Sequence, residues 1–152
     1  MRTLLNILWN VPGLGFVAAL LWVLARLVMA ITIIGLPWSK ACFTLANNTL
    51  APFGRELASR YDVTGHESLG TGGLGLLANV IWVLLAGWWL MVLHVVAAVA
   101  CAVTIIGIPF SWAHLKIAAA AIAPVGKIVV PGEVAIEIDR EKAADWLYGR
   151  RR

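Results

Sequence analysis

The sequence predicts an all-α integral membrane protein made of two tandem repeats of broken transmembrane helices. Composition is the first reason. Of its 152 residues, 61% are hydrophobic and only 13% are charged, whereas soluble domains carry about 45–50% apolar and about 25% charged residues. Repetition is the second, because the motif at Ile31–Ser39 returns at Val103–Ser111, an offset of 72 positions. An internal repeat must be recognised before local structure is assigned, because it shows how the chain divides into units.

Two apolar blocks, Leu4–Ala51 and Leu74–Ala123, are too long and too poor in charge to be the core of a soluble domain. About 20 apolar residues span the hydrocarbon core of a bilayer. Each block has room for two helices of about 22 residues, or for one full helix flanked by half-length or re-entrant pieces. The first block has an internal copy, which a cleaved leader would lack, so we expect it to be retained.

The repeats divide the chain into four parts. Residues 4–55 are predicted as the first inner-membrane repeat, 56–73 as a polar cytoplasmic linker, 74–127 as the second repeat and 128–152 as a charged cytoplasmic tail. The basic residues flanking the repeats, including Arg2, Arg55 and Lys127, should be cytoplasmic by the positive-inside rule. Each repeat then crosses an even number of times. This predicts four crossings, parallel repeats and two cytoplasmic termini.

Each repeat should be broken twice. The earlier breaks are expected at 12–15 and 86–89. The later ones are Gly-x-Pro steps, at Gly35 and Pro37 and again at Gly107 and Pro109, since proline lacks the backbone donor and clashes with the preceding turn. Hydroxyls of Thr32 and Thr104 could satisfy the freed backbone groups. The alternative is that the freed carbonyls line an ion site.

Two of the ionisable residues inside the apolar blocks, Arg26 and His94, have only apolar neighbours in the sequence. Arg26 is costly near the bilayer centre, so it would either face a bundle interior as an anion-attracting gate or lie at a turn and reach the headgroups. His94 could line a pore and relay protons, or be a buried neutral histidine bonded to a carbonyl. It shares one helical quadrant with Cys101 and Thr104.

Asn6 and Asn79 each stand three residues before a tryptophan. Their amides could form hydrogen bonds between helices or line a path. The tryptophans themselves, seven of which lie in or beside the apolar blocks, are expected to anchor the helices at headgroup level.

The apolar blocks contain no Asp or Glu, so no acid–base pair or carboxylate cluster can form there. Cys42, Cys101, His66 and His114 have no metal-ligand spacing. We therefore expect no catalytic residues, no metal, no cofactor and no enzyme activity. The formal charge of +4 lies mostly in the linker and tail, which fits contact with membrane lipids better than nucleic acid.

Several runs resemble the YccF family of bacterial inner-membrane component proteins. The similarity covers nearly the whole chain and rests on Met1–Leu8, on Gly87–Leu90 with His94, on Ile105–Pro109, and on Lys116–Ala118 leading to Pro124–Gly126. The resemblance implies a multi-pass protein of the inner membrane. It implies no activity and offers no catalytic residues.

Two functions remain as expectations. The first is a small homo-oligomeric channel or pore for an inorganic ion, suggested by the broken helices, by Arg26 and His94, and by a subunit too small to enclose a wide path alone. The second is a non-conducting scaffold or accessory subunit that binds a partner through the linker and tail.

Overall fold

The computed structural model describes residues 1–12, 14–32, 35–68 and 70–149. The sequence predictions that concern Gly13, Ile33, Ile34 and Arg150–Arg152 therefore lie outside the described residues. The first repeat contains α1 (Arg2–Asn10), α2 (Leu14–Ile31) and α3 (Leu36–Leu50), and the linker contains β1 (Arg55–Ser59) and α4 (Arg60–Thr64). The second repeat contains α5 (Gly72–Trp82), a π-helical turn (Val83–Gly87), α6 (Trp88–Ala102), a 3₁₀ turn (Ile105–Gly107) and α7 (Ile108–Ile122). The tail contains β2 (Lys127–Pro131) and α8 (Gly132–Tyr148).

Two helices of each repeat form a hairpin, in which an outer helix (α2 or α6) packs against an inner helix (α3 or α7). The turns of the hairpins lie at the two Gly-x-Pro steps, as predicted. Arg26, however, lies within α2 rather than at a turn. The alternative that placed a turn near Arg26 is wrong, because the helix continues to Ile31 and breaks only where Gly35 and Pro37 interrupt it.

The earlier break differs between the copies. In the first repeat α1 ends at Asn10 and α2 begins at Leu14. In the second repeat α5 and α6 form one helix of 31 residues, Gly72–Ala102, and the break predicted at 86–89 is a π-helical turn instead. A π turn holds one residue more than an α turn. The second copy lacks the Pro-Gly pair that ends α1, so the helix can continue through the irregularity.

Contacts between the repeats place the start of each inner helix, α3 or α7, beside the other repeat. Near the start of α3, the indole of Trp38 donates to the carbonyl of Ala78 in the second repeat, 3.1 Å away. Near the start of α7, the ring of Phe110 lies 6.1 Å from that of Phe53, just after α3. Each inner helix therefore begins beside the other repeat and ends at its own Pro-x-Gly turn, Pro52–Gly54 for α3 and Pro124–Gly126 for α7.

The linker and the tail are joined by a two-stranded antiparallel ribbon, in which Leu57 pairs with Val129. We did not predict these strands from the sequence. Helix α8 begins at Gly132, next to Glu133, and packs on the ribbon. The protein is thus a mostly helical membrane domain with a small strand-and-helix layer, the ribbon layer, made of β1, α4, β2 and α8.

Among the described residues, three helical segments are long and apolar enough to cross a bilayer: Leu14–Ile31, Gly72–Ala102 and Ile105–Ile122. Their surfaces are almost entirely apolar and exposed, with leucines such as Leu84 and Leu85 each 73% accessible. A soluble protein rarely exposes an apolar surface of this extent. The membrane-embedded, two-repeat fold predicted from the sequence agrees with this architecture.

Candidate functional site

The two asparagines occupy equivalent positions and make equivalent bonds. Asn6 donates to the carbonyl of Phe53 and accepts from its N–H, both at 3.1 Å. Asn79 makes the same pair of bonds with Val125, at 3.1 and 3.0 Å. Each amide therefore clamps the turn that leads from an inner helix into the ribbon. From the sequence, we expected these side chains to form hydrogen bonds between helices or to line a path. In the structure the amide of each asparagine is bonded to backbone groups instead.

Four tryptophans are buried: Trp9, Trp22, Trp38 and Trp82. Interfacial anchoring, which was predicted for them, does not describe these side chains. The indole of Trp9 donates to the Thr49 carbonyl at 2.7 Å, and that of Trp82 donates to the Ala121 carbonyl at 2.8 Å. These carbonyls lie in the last turns of the inner helices, which have no intrahelical donors. Trp88, Trp89 and Trp112 are exposed and remain available as anchors.

The threonines before the Gly-x-Pro steps stabilise the hairpin turns. Thr32 Oγ1 accepts from the N–H of Gly35, and Thr104 Oγ1 accepts from that of Gly107, each at 3.1 Å. Both hydroxyls also donate to a carbonyl three residues earlier. Such bonds satisfy the backbone groups that a helix break frees. Whether the same turns hold an ion stays a prediction.

Arg26 is half-buried in the middle of the first hairpin, where its guanidinium lies 4.2 Å from the centre of the Phe43 ring. This is a cation–π contact, which is strongest where water is excluded. Lys40, three residues before Phe43 on α3, is exposed. The first hairpin therefore carries two cations where the second has Ala98 and Trp112.

His94 on α6 and His114 on α7 lie side by side, their Nδ1 atoms 3.2 Å apart. His94 also stacks on Trp22, the residue at its own position in the first repeat, with ring centroids 6.2 Å apart. The other imidazole nitrogen of His114, Nε2, is buried and has no hydrogen-bond partner among the described residues. This pair is the one cluster of titratable groups that the structure brings together inside the membrane domain, within the part of the chain that it describes.

A profile of the YccF family, described as an inner membrane component domain, matches residues 4–55 and 77–127. The chain is also 41% identical over 138 residues to the inner membrane protein YccF of Escherichia coli K12, and equally to that of Shigella flexneri. These alignments cover 89% of this chain and 91% of each relative. The chain belongs to the YccF family. No solved structure matches it. Its relatives bear the name of inner membrane proteins, and the apolar helices agree with that location.

A partly buried cation, Lys116, connects the ribbon layer of this YccF protein to the membrane domain. Lys116, in the middle of α7, donates to the carbonyls of Pro52 and Arg55 at 3.1 and 3.0 Å and to Glu56 Oε1 at 2.6 Å. Its side chain is 18% exposed. The ammonium has three donors and all three are used. Lys116 thereby fixes the second repeat against the linker that follows the first.

Sequence reasoning about this YccF chain missed the partner of His94. His114 stands 20 residues away on the neighbouring helix, a spacing that suggests no metal site and no helical stripe. Among the described residues, no group of three His, Cys, Asp or Glu side chains could hold a metal ion. The signal that could have found the pair is the repeat itself. Trp22 and Cys42 of the first copy are replaced by His94 and His114 in the second, at one offset.

Proposed function

We propose that this protein is a non-conducting scaffold of the inner membrane that presents the ribbon layer to a partner protein at the cytoplasmic surface. The observation that supports the proposal most directly is that the linker and the tail fold together. The sequence places them 72 residues apart, yet β1 and β2 pair over five residues and α8 packs on both strands. The two polar parts of the chain form one folded surface, rather than two loose ends.

The use of polar groups in the membrane domain supports a scaffold over a pore. The amides of Asn6 and Asn79 and the hydroxyls of Thr32 and Thr104 are all bonded to backbone. A conducting path needs polar groups that face water or an ion. The outward faces of α2 and α6 are apolar instead. Homo-oligomerisation stays a prediction, which the mass of the protein in detergent would check.

A groove in the ribbon layer has the mixed chemistry of a protein-binding surface. It has a volume of about 540 Å³, with apolar residues such as Leu57 and Ile136 flanked by both signs of charge. Lys142 on α8 pairs with Asp62 in the linker, and Arg2 on α1 pairs with Glu133. Large exposed apolar side chains, Trp146 and Leu147, follow on α8. An apolar centre within a polar rim is the usual anatomy of an interface.

The inner helices support a shallow placement of both hairpins in the bilayer. Phe53 lies two residues before β1, and Val125 lies two residues before β2. Helix α7 begins beside Phe53 and ends beside Val125. Lys116, halfway along α7, reaches Glu56 in the ribbon. With the ribbon in water, α3 and α7 run beneath the membrane surface rather than straight across. The geometry thus favours the re-entrant alternative over four crossings, with the same cytoplasmic side for both termini.

Site-specific photocrosslinking tests the scaffold. A photoreactive residue at Ile136, in the groove, should give a protein adduct in cells, and one at Leu84, on the apolar surface, should not. Charge reversal at Asp139, which lines the groove, should abolish the adduct. Reversal at Glu141, exposed on the same helix outside the groove, should leave it intact. An adduct that forms equally at Leu84, or that survives Asp139→Arg, contradicts the proposal.

Flux measurements test the competing channel directly. Purified protein in liposomes should release no more potassium, sodium or chloride than empty liposomes, between pH 5 and pH 8. A current that is carried by the protein and abolished by Arg26→Ala would overturn the scaffold and support a pore.

A further inference from the structure

We infer that the exposed face of α3, in the first repeat, binds the headgroup of an anionic phospholipid. Two cations border this face, Lys40 on α3 and Arg26 on α2. Lys40 is exposed, and the half-buried Arg26 has its guanidinium 4.2 Å from the centre of the Phe43 ring. Phe43 is also exposed and stands three residues after Lys40, so the two are neighbours on the helix surface. Both cations therefore border the same stretch of the first hairpin.

The exposed face of α3 is polar for a helix of a membrane domain. Lys40, Thr44 and Asn47 follow one another at helical spacing, and Arg55, beyond the end of the helix, donates to the amide oxygen of Asn47 at 3.3 Å. Helices α2, α6 and α7 belong to segments that are long and apolar enough to cross a bilayer, and α3 does not. A helix with a polar, charged outer face lies at headgroup level rather than among acyl chains.

The chain itself supplies no negative charge to these cations. Neither apolar block contains Asp or Glu, and the ion pairs among the described residues involve neither Arg26 nor Lys40. A second copy of the chain has the same blocks, so its membrane domain could not supply the charge either. Basic residues between membrane helices on the cytoplasmic side bind anionic lipid headgroups. The missing negative charge therefore identifies the occupant as a lipid phosphate.

The two cations offer donors that suit a phosphate. Neither the guanidinium of Arg26 nor the ammonium of Lys40 donates to another group among the described residues. A guanidinium can form two parallel bonds to phosphate oxygens, and an ammonium adds a compact charge with three donors. The contact with Phe43 holds the guanidinium through its face, which leaves the N–H groups in its plane for the ligand.

The second repeat shows that the hairpin does not need these cations to fold. At the positions of Arg26 and Lys40 it has Ala98 and Trp112, while the Thr, Gly and Pro residues that form the hairpin turn are the same in both copies. The lysine of its own inner helix, Lys116, donates to the ribbon instead. Only the first repeat therefore presents free cations on an inner helix of the described chain, and we expect one lipid per chain.

Native mass spectrometry of the protein in neutral detergent, titrated with phosphatidylglycerol, tests the inference. Wild-type protein should bind one phosphatidylglycerol per chain about thirtyfold more tightly than phosphatidylcholine with the same acyl chains, because each cation contributes a factor of about five. Arg26→Gln and Lys40→Gln should each weaken binding about fivefold, and Lys40→Arg should retain it. Arg60→Gln removes the same charge from an exposed position in the ribbon layer and should leave the affinity unchanged.

Thermal unfolding of each variant shows whether the fold is kept, and the exposed position of Lys40 makes Lys40→Gln the variant least able to disturb it. Equal affinity of the wild-type protein for the two lipids overturns the inference and leaves this face to another anion, such as a carboxylate on the helix of a partner protein. The inference is equally overturned if Lys40→Gln binds phosphatidylglycerol as wild type does, or if Arg60→Gln loses as much affinity as Lys40→Gln.

Discussion

Single side chains hold the turns between the membrane domain and the ribbon, and Asn79 is the clearest of them. Asn79→Leu removes both hydrogen bonds to Val125 and leaves the N–H and carbonyl of Val125 unpaired. We expect a loss of about 1–3 kcal/mol of unfolding free energy, seen as a lower thermal midpoint in detergent. Asn47→Leu is the matched control, because Asn47 is exposed and accepts one bond of 3.3 Å from Arg55. Equal effects of the two changes would contradict the clamp.

The residues that form these clamps were identifiable from the sequence, but their partners were not. Asn6 and Asn79 stand out because the repeat preserves them before a tryptophan. Their partners lie 47 and 46 residues away, in turns that bear no side-chain signal because the bonded groups are backbone. The buried tryptophans were expected at the headgroups because the sequence does not show which group each indole N–H bonds to. An indole N–H is satisfied equally by interfacial water or by a helix-terminal carbonyl.

The hairpin turns depend on a small residue at the Gly-x-Pro step. A Cβ on Gly107 would lie 1.9 Å from the carbonyl oxygen of Cys101 and 2.6 Å from Thr104 Oγ1. Gly107→Ala should therefore destabilise the protein by about 1–3 kcal/mol through overpacking, measured as a shift of the thermal midpoint. Gly73→Ala in the first turn of α5 has open space around it and should be neutral or slightly stabilising. A neutral Gly107→Ala would show that the turn is not closely packed.

An ion pair between Arg2 of α1 and Glu133 in the first turn of α8 links the N-terminus to the tail. The hydrogen bond from Arg2, helped by a backbone bond and by the charge of the guanidinium, lowers the pKa of Glu133 below its ordinary value of 4.5. A lowered pKa in the folded protein stabilises it above pH 4.5, and this contribution is lost as pH falls through the folded value.

Glu133→Gln should therefore lower the unfolding midpoint slightly at pH 7 and progressively less as pH falls below 4.5. Both side chains are exposed, so high salt should reduce the difference at pH 7. A difference that grows towards acid pH would contradict the assignment.

The helices were predictable because apolar runs in a membrane leave no alternative to internal hydrogen bonding. The strands were not. Arg55–Ser59 contains Glu, Leu and Ala, which favour helices, and its partner strand lies in the tail. Pairing across such a separation leaves no local pattern. The π-helical turn was not predicted because Gly87 was interpreted as a helix break. No proline stands at that place, whereas Pro12 follows the end of α1.

At the level of the whole molecule, a duplicated chain has kept its structural residues and diverged where the copies meet. Residues at equivalent positions of the two repeats contact each other, since Leu57 pairs with Val129 in the ribbon and Trp22 stacks on His94. In the shallow placement proposed above, the tips of both hairpins stay close to the surface from which they enter. The exposed cation Lys40, near the start of α3, agrees with this placement, because basic residues concentrate on the cytoplasmic side.

Labelling of single cysteines by a membrane-impermeant maleimide tests this arrangement most directly. In a background with Cys42 and Cys101 replaced by alanine, a cysteine at Ile105, in the tip of the second hairpin, and one at Glu141, on α8, are compared in intact spheroplasts and in inverted vesicles. We expect Glu141→Cys to react only in inverted vesicles and Ile105→Cys to be protected from the periplasmic side. Reaction of Ile105→Cys in spheroplasts would place the tip across the bilayer and contradict the account.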